Sequence, residues 1–298
     1  MTKRRRVLIW GTAVLLVVVA LVGGIAVAQG GRLGAHTPER LTLAGSTAMA
    51  PLVEEATKNY TADHPNVHVT IQKGGSAAGL TKVANGQVSF GMSDIFAEEK
   101  DGVVPNTLVD HKIAVVGIVP IVNNRLGVRT ISTTALRLIF AGNYTNWRQL
   151  GGPDLPITII NRTAGSGTRT SFDRQVLHGS EPKTGLEQES SAKARAMVAA
   201  TPGAISYLAL SYLDSSVTPV YIDGIKPSKA NIVTGTWPLW AYEHLYVKGK
   251  PTVAEVQYIN YLQSDTVQKS LISKMGYISI KEMKVERTAD GQLNDVRP

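Results

Sequence analysis

The sequence predicts an α/β fold, because short apolar segments of strand type alternate with amphipathic segments of helix type along most of the chain. Its 298 residues are enough for one or two domains with a real hydrophobic core. Glycine and hydroxyl residues repeatedly stand between a predicted strand and the predicted helix that follows it. Since ligands of α/β folds bind at the carboxyl ends of strands, the same pattern indicates where a site should lie.

The first stretch of the folded region alternates strand and helix in a regular way. Leu52, Val53, Ala56 and Tyr60 recur at helical spacing, and residues 67–71 alternate apolar and polar side chains as a strand does. The predicted elements are strand 41–44, helix 49–64, strand 67–71, helix 77–85 and strand 88–92. This order favours a parallel sheet.

A long apolar run at residues 113–122 begins the second stretch and predicts a buried strand. The elements predicted after it are helix 133–140, strand 156–160, helices 168–178 and 193–200, strands 219–222 and 244–247, and helices 253–264 and 266–275. The tail after Lys281 is predicted to be a surface strand or loop. Trp147, Trp237 and Trp240 are interpreted as core or hinge residues.

The order of elements allows the chain to be divided into two lobes. Residues 41–119 and 236–298 would form lobe 1, and the inserted residues 120–235 would form lobe 2. The apolar segments at the two cuts would then be strands that cross between the lobes. A cleft between two lobes is a favoured place for a ligand site.

The N-terminal segment predicts export. Residues 3–6 are KRRR, and the uncharged residues 7–28 that follow are long enough to span a bilayer as a helix. Residues 26–28, Ala-Val-Ala, also fit a signal-peptidase site, with cleavage after Ala28. A cleaved signal peptide and an uncleaved membrane anchor both remain open. Residues 29–40 are interpreted as a linker.

Composition argues against several functional classes. The formal net charge is +8, but residues 3–6 supply four of the positive charges, and no basic stripe is interleaved with aromatic residues, so nucleic-acid binding is not expected. Cysteine is absent, which excludes disulfides, thiolate chemistry and lipidation on cysteine. The histidines lack metal-ligand spacing, and neither a nucleophile elbow nor a P-loop occurs. We therefore expect no metal, no cofactor and no enzymatic activity.

The segment NRTAGSGTRTSF at residues 161–172 carries the strongest chemical signal. It joins a predicted strand to a predicted helix and combines Arg162 with Gly165, Ser166, Gly167 and Thr168. Glycine allows the main chain to approach a ligand closely, a helix start offers free N–H groups, and arginine can bind two oxygens at once. This combination is typical of a site for a tetrahedral oxyanion.

The same chemistry recurs at two other predicted helix starts. Gly45 precedes Ser46 and Thr47, and Gly74 and Gly75 precede Ser76. Any one of these serines or threonines could be an ordinary N-cap that binds nothing. Three such helix starts, one of them beside an arginine, favour an anion site instead.

Asp94 follows predicted strand 88–92 and could be an ordinary turn or cap residue. A carboxylate next to an oxyanion is repulsive unless a proton lies between them. Protonated forms of phosphate carry that proton and sulfate does not, so Asp94 would select phosphate over sulfate. Arg162, if it is not simply an exposed arginine, would offset the buried negative charge.

Four motifs, in order, resemble the phosphate-specific substrate-binding proteins of bacterial ABC transporters: GSTAMAPL, QKGGSAAGL, VSFGMSD and NRTAGSGTRTSF. IFAGNYTNWRQLGG and WPLWAYEHLYV are also similar to segments of that family, and the similarity covers nearly all of residues 41–280. The resemblance implies a two-lobed type II periplasmic-binding-protein fold with a hinge of crossover strands. It also implies binding of inorganic phosphate between the lobes and delivery to the permease subunits of an ABC transporter.

The resemblance also assigns roles to individual residues. The implied phosphate-binding residues are Ser46, Thr47 and the backbone of Ala48, Ser76, the proton acceptor Asp94, and the clamp of Arg162, Ser166, Gly167 and Thr168. Some members carry an acidic residue two positions after the arginine, which orients it. This chain has Ala164 there, so the sequence leaves open what holds Arg162.

Three other functions remain open from the sequence. The chain could be a membrane-anchored phosphate sensor or scaffold with no direct role in transport. It could bind another tetrahedral oxyanion. An enzyme such as a phosphatase or a serine hydrolase is disfavoured by the absent motifs.

Overall fold

A mixed β-sheet runs through residues 38–296, the part of the chain that the computed structural model describes. Its strands are β1 (Glu39–Gly45), β2 (Val67–Lys73), β3 (Phe90–Ser93), β4 (Leu108–Asn123), β6 (Thr158–Arg162), β7 (Leu186–Gln188), β8 (Ala204–Ala209), β9 (Val217–Pro219) and β11 (Trp240–Lys248). The strand order is β2-β1-β3-β11-β4-β8-β6-β7, with β9 paired to β4. Two small ribbons lie outside this sheet: β5 (Thr130–Ile131) with β10 (Tyr221–Ile222), and β12 (Val285–Arg287) with β13 (Leu293–Asp295).

Helices follow most of the strands. They are α1 (Ala50–Asp63), α2 (Ser76–Ala84), α3 (Thr133–Phe140), α4 (Gly167–Phe172), α5 (Ser191–Ala200), α6 (Lys229–Val233), α7 (Val253–Leu262) and α8 (Ile272–Lys274). Wider π-type turns extend α4 over Asp173–Leu177 and precede α8 over Val267–Leu271. Five of the helices begin at a serine or threonine whose side chain accepts a backbone N–H bond, as N-cap chemistry requires: Ser132, Ser166, Ser190, Ser228 and Thr252.

The predicted parallel sheet is confirmed at its two ends and is wrong in the middle. β1 pairs in parallel with β2 and β3, and β6 pairs in parallel with β7 and β8. The returning strand β11 lies between β3 and β4 and is antiparallel to both. A strand that comes back from the far half of the chain enters the sheet in the opposite direction, which the local pattern of alternation does not reveal.

The long strand β4 joins the two ends of the sheet. Its first part, from Leu108 to Gly117, pairs with β11, and Ile118 to Val122 pair with β8. The predicted buried strand at 113–122 is therefore confirmed and extended on the N-terminal side. This arrangement is the mixed α/β architecture that the resemblance implies, with one continuous strand shared by the two ends of the sheet.

Two large hydrophobic clusters fill the described part of the chain from Glu39 onward. One surrounds α1 and β3 and includes Tyr60 and Tyr258; the other surrounds α3 and α4 and includes Trp147. Trp237, Trp240 and Ile278 pack in the second cluster, although they lie beyond the expected end of the inserted segment at residue 235. The lobe boundaries at 119/120 and 235/236 stay predictions. The three tryptophans are fully buried, as expected for core residues.

Some element boundaries differ from the prediction. β8 was not predicted, although all six of its residues are buried, because a short apolar run between loops cannot be assigned by periodicity alone. β11 begins at Trp240 rather than at residue 244. The expected strand 219–222 is divided between β9 and β10.

The expected signal peptide or anchor, residues 1–28, lies outside the described residues, as does most of the expected linker. The last two linker positions, Glu39 and Arg40, already belong to β1, so the folded region begins slightly earlier than predicted. Among residues 38–296, no helix has the length and apolar character needed to cross a membrane.

Candidate anion-binding site

The predicted site residues converge at the carboxyl ends of β1, β2, β3 and β6. Ser46 and Thr47 lie between β1 and α1, Ser76 is the first residue of α2, and Asp94 directly follows β3. From the other end of the sheet, β6 ends at Arg162 and α4 begins at Gly167. β1, β2 and β3 are mutually parallel and supply one half of the cluster, whereas β6, which runs in the opposite direction across the sheet, supplies the other half. All four strands place the cluster at their carboxyl ends, as expected for an α/β fold.

Asp94 is the polar centre of this cluster and is only 4% exposed. Ser46 Oγ and Ser76 Oγ donate to Asp94 Oδ1, the second over 3.3 Å, and Thr168 Oγ1 donates to Asp94 Oδ2 over 2.7 Å. The Asp94 backbone N–H donates in turn to Ser76 Oγ at 2.9 Å. Three predicted hydroxyls from three segments thus meet at the predicted carboxylate.

Ser46 also organises the start of α1. Its Oγ accepts hydrogen bonds from the backbone N–H groups of Ala48 and Met49, both at 3.0 Å. The Ala48 N–H, predicted to bind the anion, therefore lies within reach of the same hydroxyl. Tyr212 Oη donates a hydrogen bond to the Thr47 carbonyl oxygen, and Tyr277 Oη donates one to the Ala48 carbonyl oxygen.

Glycine allows the two ends of the sheet to touch at the site. A side chain at Gly167 would lie 2.2 Å from Ser76 Oγ, and one at Gly75 would lie 2.8 Å from the Gly165 carbonyl oxygen. Gly75 and Gly165 also have positive φ angles of 87° and 86°, which favour glycine. The Ala77 N–H donates to that Gly165 oxygen at 3.1 Å, so a backbone hydrogen bond joins the two loops.

Ser166 is placed differently from its predicted role. Its side chain caps α4 by accepting a hydrogen bond from the Arg169 N–H at 3.3 Å. Ser166 still lines a cavity of about 320 Å³ that adjoins the cluster, together with Thr47, Gly75 and Ser190. Ser166 is thus both a helix cap and a residue that lines the cavity next to the cluster.

The structure answers the question of what holds Arg162, which is only 1% exposed. Its Nε donates to the Gln188 carbonyl at 3.1 Å, and its Nη2 donates to the Glu189 carbonyl at 3.2 Å. Its Nη1 donates to Ser191 Oγ and its Nη2 also to Thr47 Oγ1, each at 3.1 Å. Backbone carbonyls and a serine thus orient the arginine without any acidic residue at position 164.

Arg162 is a buried cation whose side-chain hydrogen bonds all go to neutral oxygens. Within residues 38–296 it forms no ion pair with a carboxylate at 4.0 Å or less. Burial lowers the pKa of the guanidinium, and the charge of Asp94 raises it. A buried charge without a direct counter-ion is unfavourable, so this arrangement favours the entry of an anion.

A second layer of polar groups supports β6. Asn161 Oδ1 accepts hydrogen bonds from the Arg162 N–H at 2.9 Å and from Tyr207 Oη. The Tyr207 ring stacks on Phe172 with ring centroids 3.9 Å apart. These contacts fix the direction in which Arg162 leaves the strand.

Sequence reasoning missed Glu243, which is fully buried on β11, where its neighbour His244 is paired with Ser93, the residue before Asp94. Burial, and then the charge and hydrogen bonding of Asp94, raise the pKa of this carboxyl well above its ordinary value. Glu243 stands in the apolar run WAYEHLYV, where no neighbouring motif identifies it. Ser191 and the carbonyls of Gln188 and Glu189 were also missed; the pair Ser190-Ser191 at a helix start was the available signal.

The cluster combines hydroxyl donors, backbone N–H groups at helix starts, one buried guanidinium and one carboxylate. This set suits recognition of a small oxyanion that carries a proton. In residues 38–296, no group of three or more histidine, aspartate or glutamate side chains is placed to hold a metal ion.

Comparisons with known proteins agree with the fold. A family model described as a PBP superfamily domain matches residues 34–266. The phosphate-binding protein PstS of Bacillus subtilis (strain 168) is 46% identical over 253 residues, which cover 85% of this chain and 84% of that protein. The chain therefore belongs to the PBP superfamily, in the family of the phosphate-binding protein PstS.

Solved structures of similar fold come from other bacteria. A phosphate ABC transporter substrate-binding protein from Clostridium perfringens, solved with bound phosphate, is 25% identical with a TM-score of 0.75, covering 81% of this chain and 100% of that one. An ABC-type phosphate transport receptor from Vibrio cholerae is 26% identical with a TM-score of 0.67, covering 80% and 99%.

Proposed function

We propose that this chain binds inorganic phosphate in the cluster around Asp94 and Arg162 and delivers it to the permease of an ABC transporter. The observation that carries the proposal is the pairing of two buried groups: a guanidinium without a direct counter-ion and a carboxylate surrounded by hydroxyls. The family of the chain, and the bound phosphate in the relative from Clostridium perfringens, support the same ligand.

The roles of the site residues follow from this proposal. Asp94 would accept the proton of a phosphate hydroxyl. Ser46, Ser76 and Thr168 would turn their O–H bonds from Asp94 to the other phosphate oxygens by rotation about one side-chain bond. Arg162 and the backbone N–H groups near Ala48 and Gly167 would complete the set of donors.

The geometry supports binding rather than catalysis. Ser46 and Ser76 donate to the Asp94 carboxylate, and no histidine among residues 38–296 forms a hydrogen bond with either serine, so the serine–histidine pair typical of an activated nucleophile is absent there. We therefore propose that the chain is not an enzyme. Turnover of a chromogenic phosphate ester that is abolished by Asp94→Asn would contradict this.

We further propose that the chain acts outside the cytoplasm, carried there by residues 1–28. The N-terminal residue of the protein isolated from its own host, together with its partition between membrane and soluble fractions, would distinguish cleavage after Ala28 from an uncleaved anchor. Loss of phosphate uptake on deletion of the gene would support transport, whereas intact uptake with altered phosphate signalling would support a sensor.

The direct test of the ligand is thermal unfolding with phosphate and with sulfate. At a phosphate concentration of 100 times Kd, binding should stabilise the native state by about 2.7 kcal/mol. Equimolar sulfate should give little or no shift, because it has no proton for Asp94. The absence of a phosphate shift, or an equal shift with sulfate, would overturn the proposal.

A further inference from the structure

We propose that Glu243 is a positioning residue that keeps a proton and donates it in a hydrogen bond to Asp94, so that the anion site contains one carboxylate and one carboxylic acid. This inference deepens the proposed function and rests on it for its effect on phosphate. The protonation of Glu243 itself does not require bound phosphate.

The position of Glu243 in the sheet carries the first step. β11 lies directly beside β3, with His244 paired to Ser93, and Asp94 is the next residue after β3. The register of β11 against β4 shifts between Glu243 and His244, which is an irregularity of β-bulge type. Such irregularities re-aim side chains and are frequent beside functional sites.

The second step is that Glu243 has no donor to stabilise a negative charge. The residue is 0% exposed, and neither carboxyl oxygen accepts a hydrogen bond from any group in residues 38–296. The polar group that acts on it most directly is the Asp94 carboxylate. Two ionised carboxylates are both acceptors and cannot bond to each other, whereas a protonated Glu243 can donate to Asp94.

The other titratable groups facing Glu243 do not supply a positive charge. Tyr212, in the turn after β8, and Tyr277, after α8, both lie near enough for its charge to act on them. Burial above all raises the pKa of Tyr212 to about 12 and raises that of Tyr277 well above its ordinary value, so both phenols stay neutral. From β4, the residue paired with Glu243 is the apolar Ala114.

The charge balance of the site gives the consequence for the ligand. With Glu243 protonated, Asp94 and Arg162 have opposite charges that cancel, and the anion enters a site without net repulsion. If Glu243 loses its proton, the same site has a net negative charge and opposes an anion. Phosphate affinity should therefore fall as the pH rises through the range in which Glu243 ionises.

The first experiment reads the proton directly in the full chain. Infrared difference spectra of the wild-type protein against Glu243→Gln at neutral pH should contain the carbonyl stretch of a protonated carboxylic acid, and the band should shift in heavy water. The band is expected with and without inorganic phosphate. If the spectra contain only carboxylate bands, the proposal is wrong, even if phosphate binds normally.

The second experiment tests the hydrogen bond to Asp94 by phosphate titration. Glu243→Gln is neutral and can donate, so its Kd at neutral pH should stay within about threefold of the wild type, and it should lack the alkaline loss of affinity. Glu243→Met has similar volume but no donor, and should weaken binding by about tenfold or more, since a hydrogen bond to a charged group is lost.

Failure of this inference can be distinguished from failure of the proposed function. If the proposed function is wrong, the wild-type protein will not bind phosphate at all. Tightening of phosphate binding by about tenfold or more in Glu243→Gln would mean that the wild-type residue carries a negative charge, which overturns the proposal. Equal affinity of the Met and Gln variants at every pH would also overturn it. If the Met variant does not fold, the infrared band and the pH profile of the Gln variant decide.

Discussion

At the scale of single residues, Arg162 is the group on which anion affinity should depend most. Replacing it by alanine removes the buried cation that donates to Thr47, Ser191 and two carbonyls. We expect Arg162→Ala to weaken phosphate binding by about 2–5 kcal/mol, since truncating one partner of a buried, hydrogen-bonded charge pair has effects of that size. Isothermal titration would measure it.

Arg148→Ala is the matched control for that change. Arg148 pairs with Asp154 on the surface, with 67% and 68% of the two side chains exposed, and such pairs contribute little. Its phosphate affinity should equal that of the wild type. If the two alanine variants bind phosphate equally well, Arg162 is not part of the site.

Asp94→Asn addresses selectivity rather than affinity. An asparagine can donate a hydrogen bond to a fully ionised oxyanion, whereas the aspartate can only accept one. The ratio of sulfate to phosphate affinity should therefore rise in the variant, as measured by competition between the two anions. An unchanged ratio would remove Asp94 from its assigned role.

Two neighbouring serines at the start of α5 allow effects on phosphate binding to be distinguished from effects on stability. Ser191 accepts a hydrogen bond from Arg162, so Ser191→Ala should weaken phosphate binding by about 0.5–1.5 kcal/mol. Ser190 is the N-cap of α5, so Ser190→Ala should lower the free energy of unfolding by about 0.5–2 kcal/mol while leaving Kd nearly unchanged. Calorimetric titration and chemical denaturation of both variants would check this pattern; the reverse pattern would contradict it.

Much of the site was predictable because its residues carry a chemical signature in sequence. Hydroxyl residues beside glycine at strand ends, an arginine and a lone aspartate mark an oxyanion site, and the structure brings them together. The groups that hold Arg162 were not predictable, since two of them are backbone carbonyls, which every residue possesses. Glu243 was hidden because a buried acid within an apolar strand looks like an isolated exception until its neighbours in space are known.

At the scale of elements, the starts of α2 and α4 touch only because glycine stands at position 167. A side chain there would meet Ser76 Oγ at 2.2 Å and Asp94 Cβ at 3.0 Å. Gly167→Ala should therefore separate the two helix starts, at a cost of about 1–3 kcal/mol from overpacking, and should weaken phosphate binding. Melting temperature and Kd would measure the two effects.

Gly74→Ala serves as the control for Gly167→Ala. It lies in the neighbouring glycine loop, but an added side chain would meet only Ala78 Cβ, at an ordinary 3.6 Å. Its stability and affinity should stay close to those of the wild type. Normal phosphate binding by Gly167→Ala would show that the contact between the helix starts is unnecessary.

The elements themselves were predicted where the pattern was long and periodic. The predicted bounds of α3 agree with the structure, and α1 differs by one residue at each end. β8 was missed because six apolar residues between loops fit a strand or a helix turn equally well. The antiparallel placement of β11 could not be predicted, because it depends on pairing with strands more than a hundred residues earlier in the chain.

At the scale of the whole molecule, Glu243 should make stability depend on pH. The pKa of Glu243 in the folded protein lies well above the ordinary value of 4.5. At pH values between 4.5 and the folded-state pKa, the folded state therefore binds more protons than the unfolded state. The free energy of unfolding should then fall as the pH rises from about 4.5 toward the folded-state pKa, by at most about 1.4 kcal/mol per pH unit from this group. Denaturation of wild type and Glu243→Gln across this range would measure it.

The Gln variant should lack this contribution and should become relatively more stable as the pH rises. Glu187→Gln is a suitable control, since its exposed carboxyl pairs with Arg169 rather than with Asp94. Parallel stability profiles of wild type and Glu243→Gln would contradict the raised pKa.

The backbone hydrogen bond from Ala77 to Gly165 has a kinetic consequence. It holds two loops against each other over a carboxylate and a guanidinium that are 4% and 1% exposed. We expect an ion in solution to reach those groups during the intervals in which the loops have separated. The observed association rate should therefore level off at high phosphate concentration, at the rate of loop opening, and stopped-flow traces would reveal that ceiling.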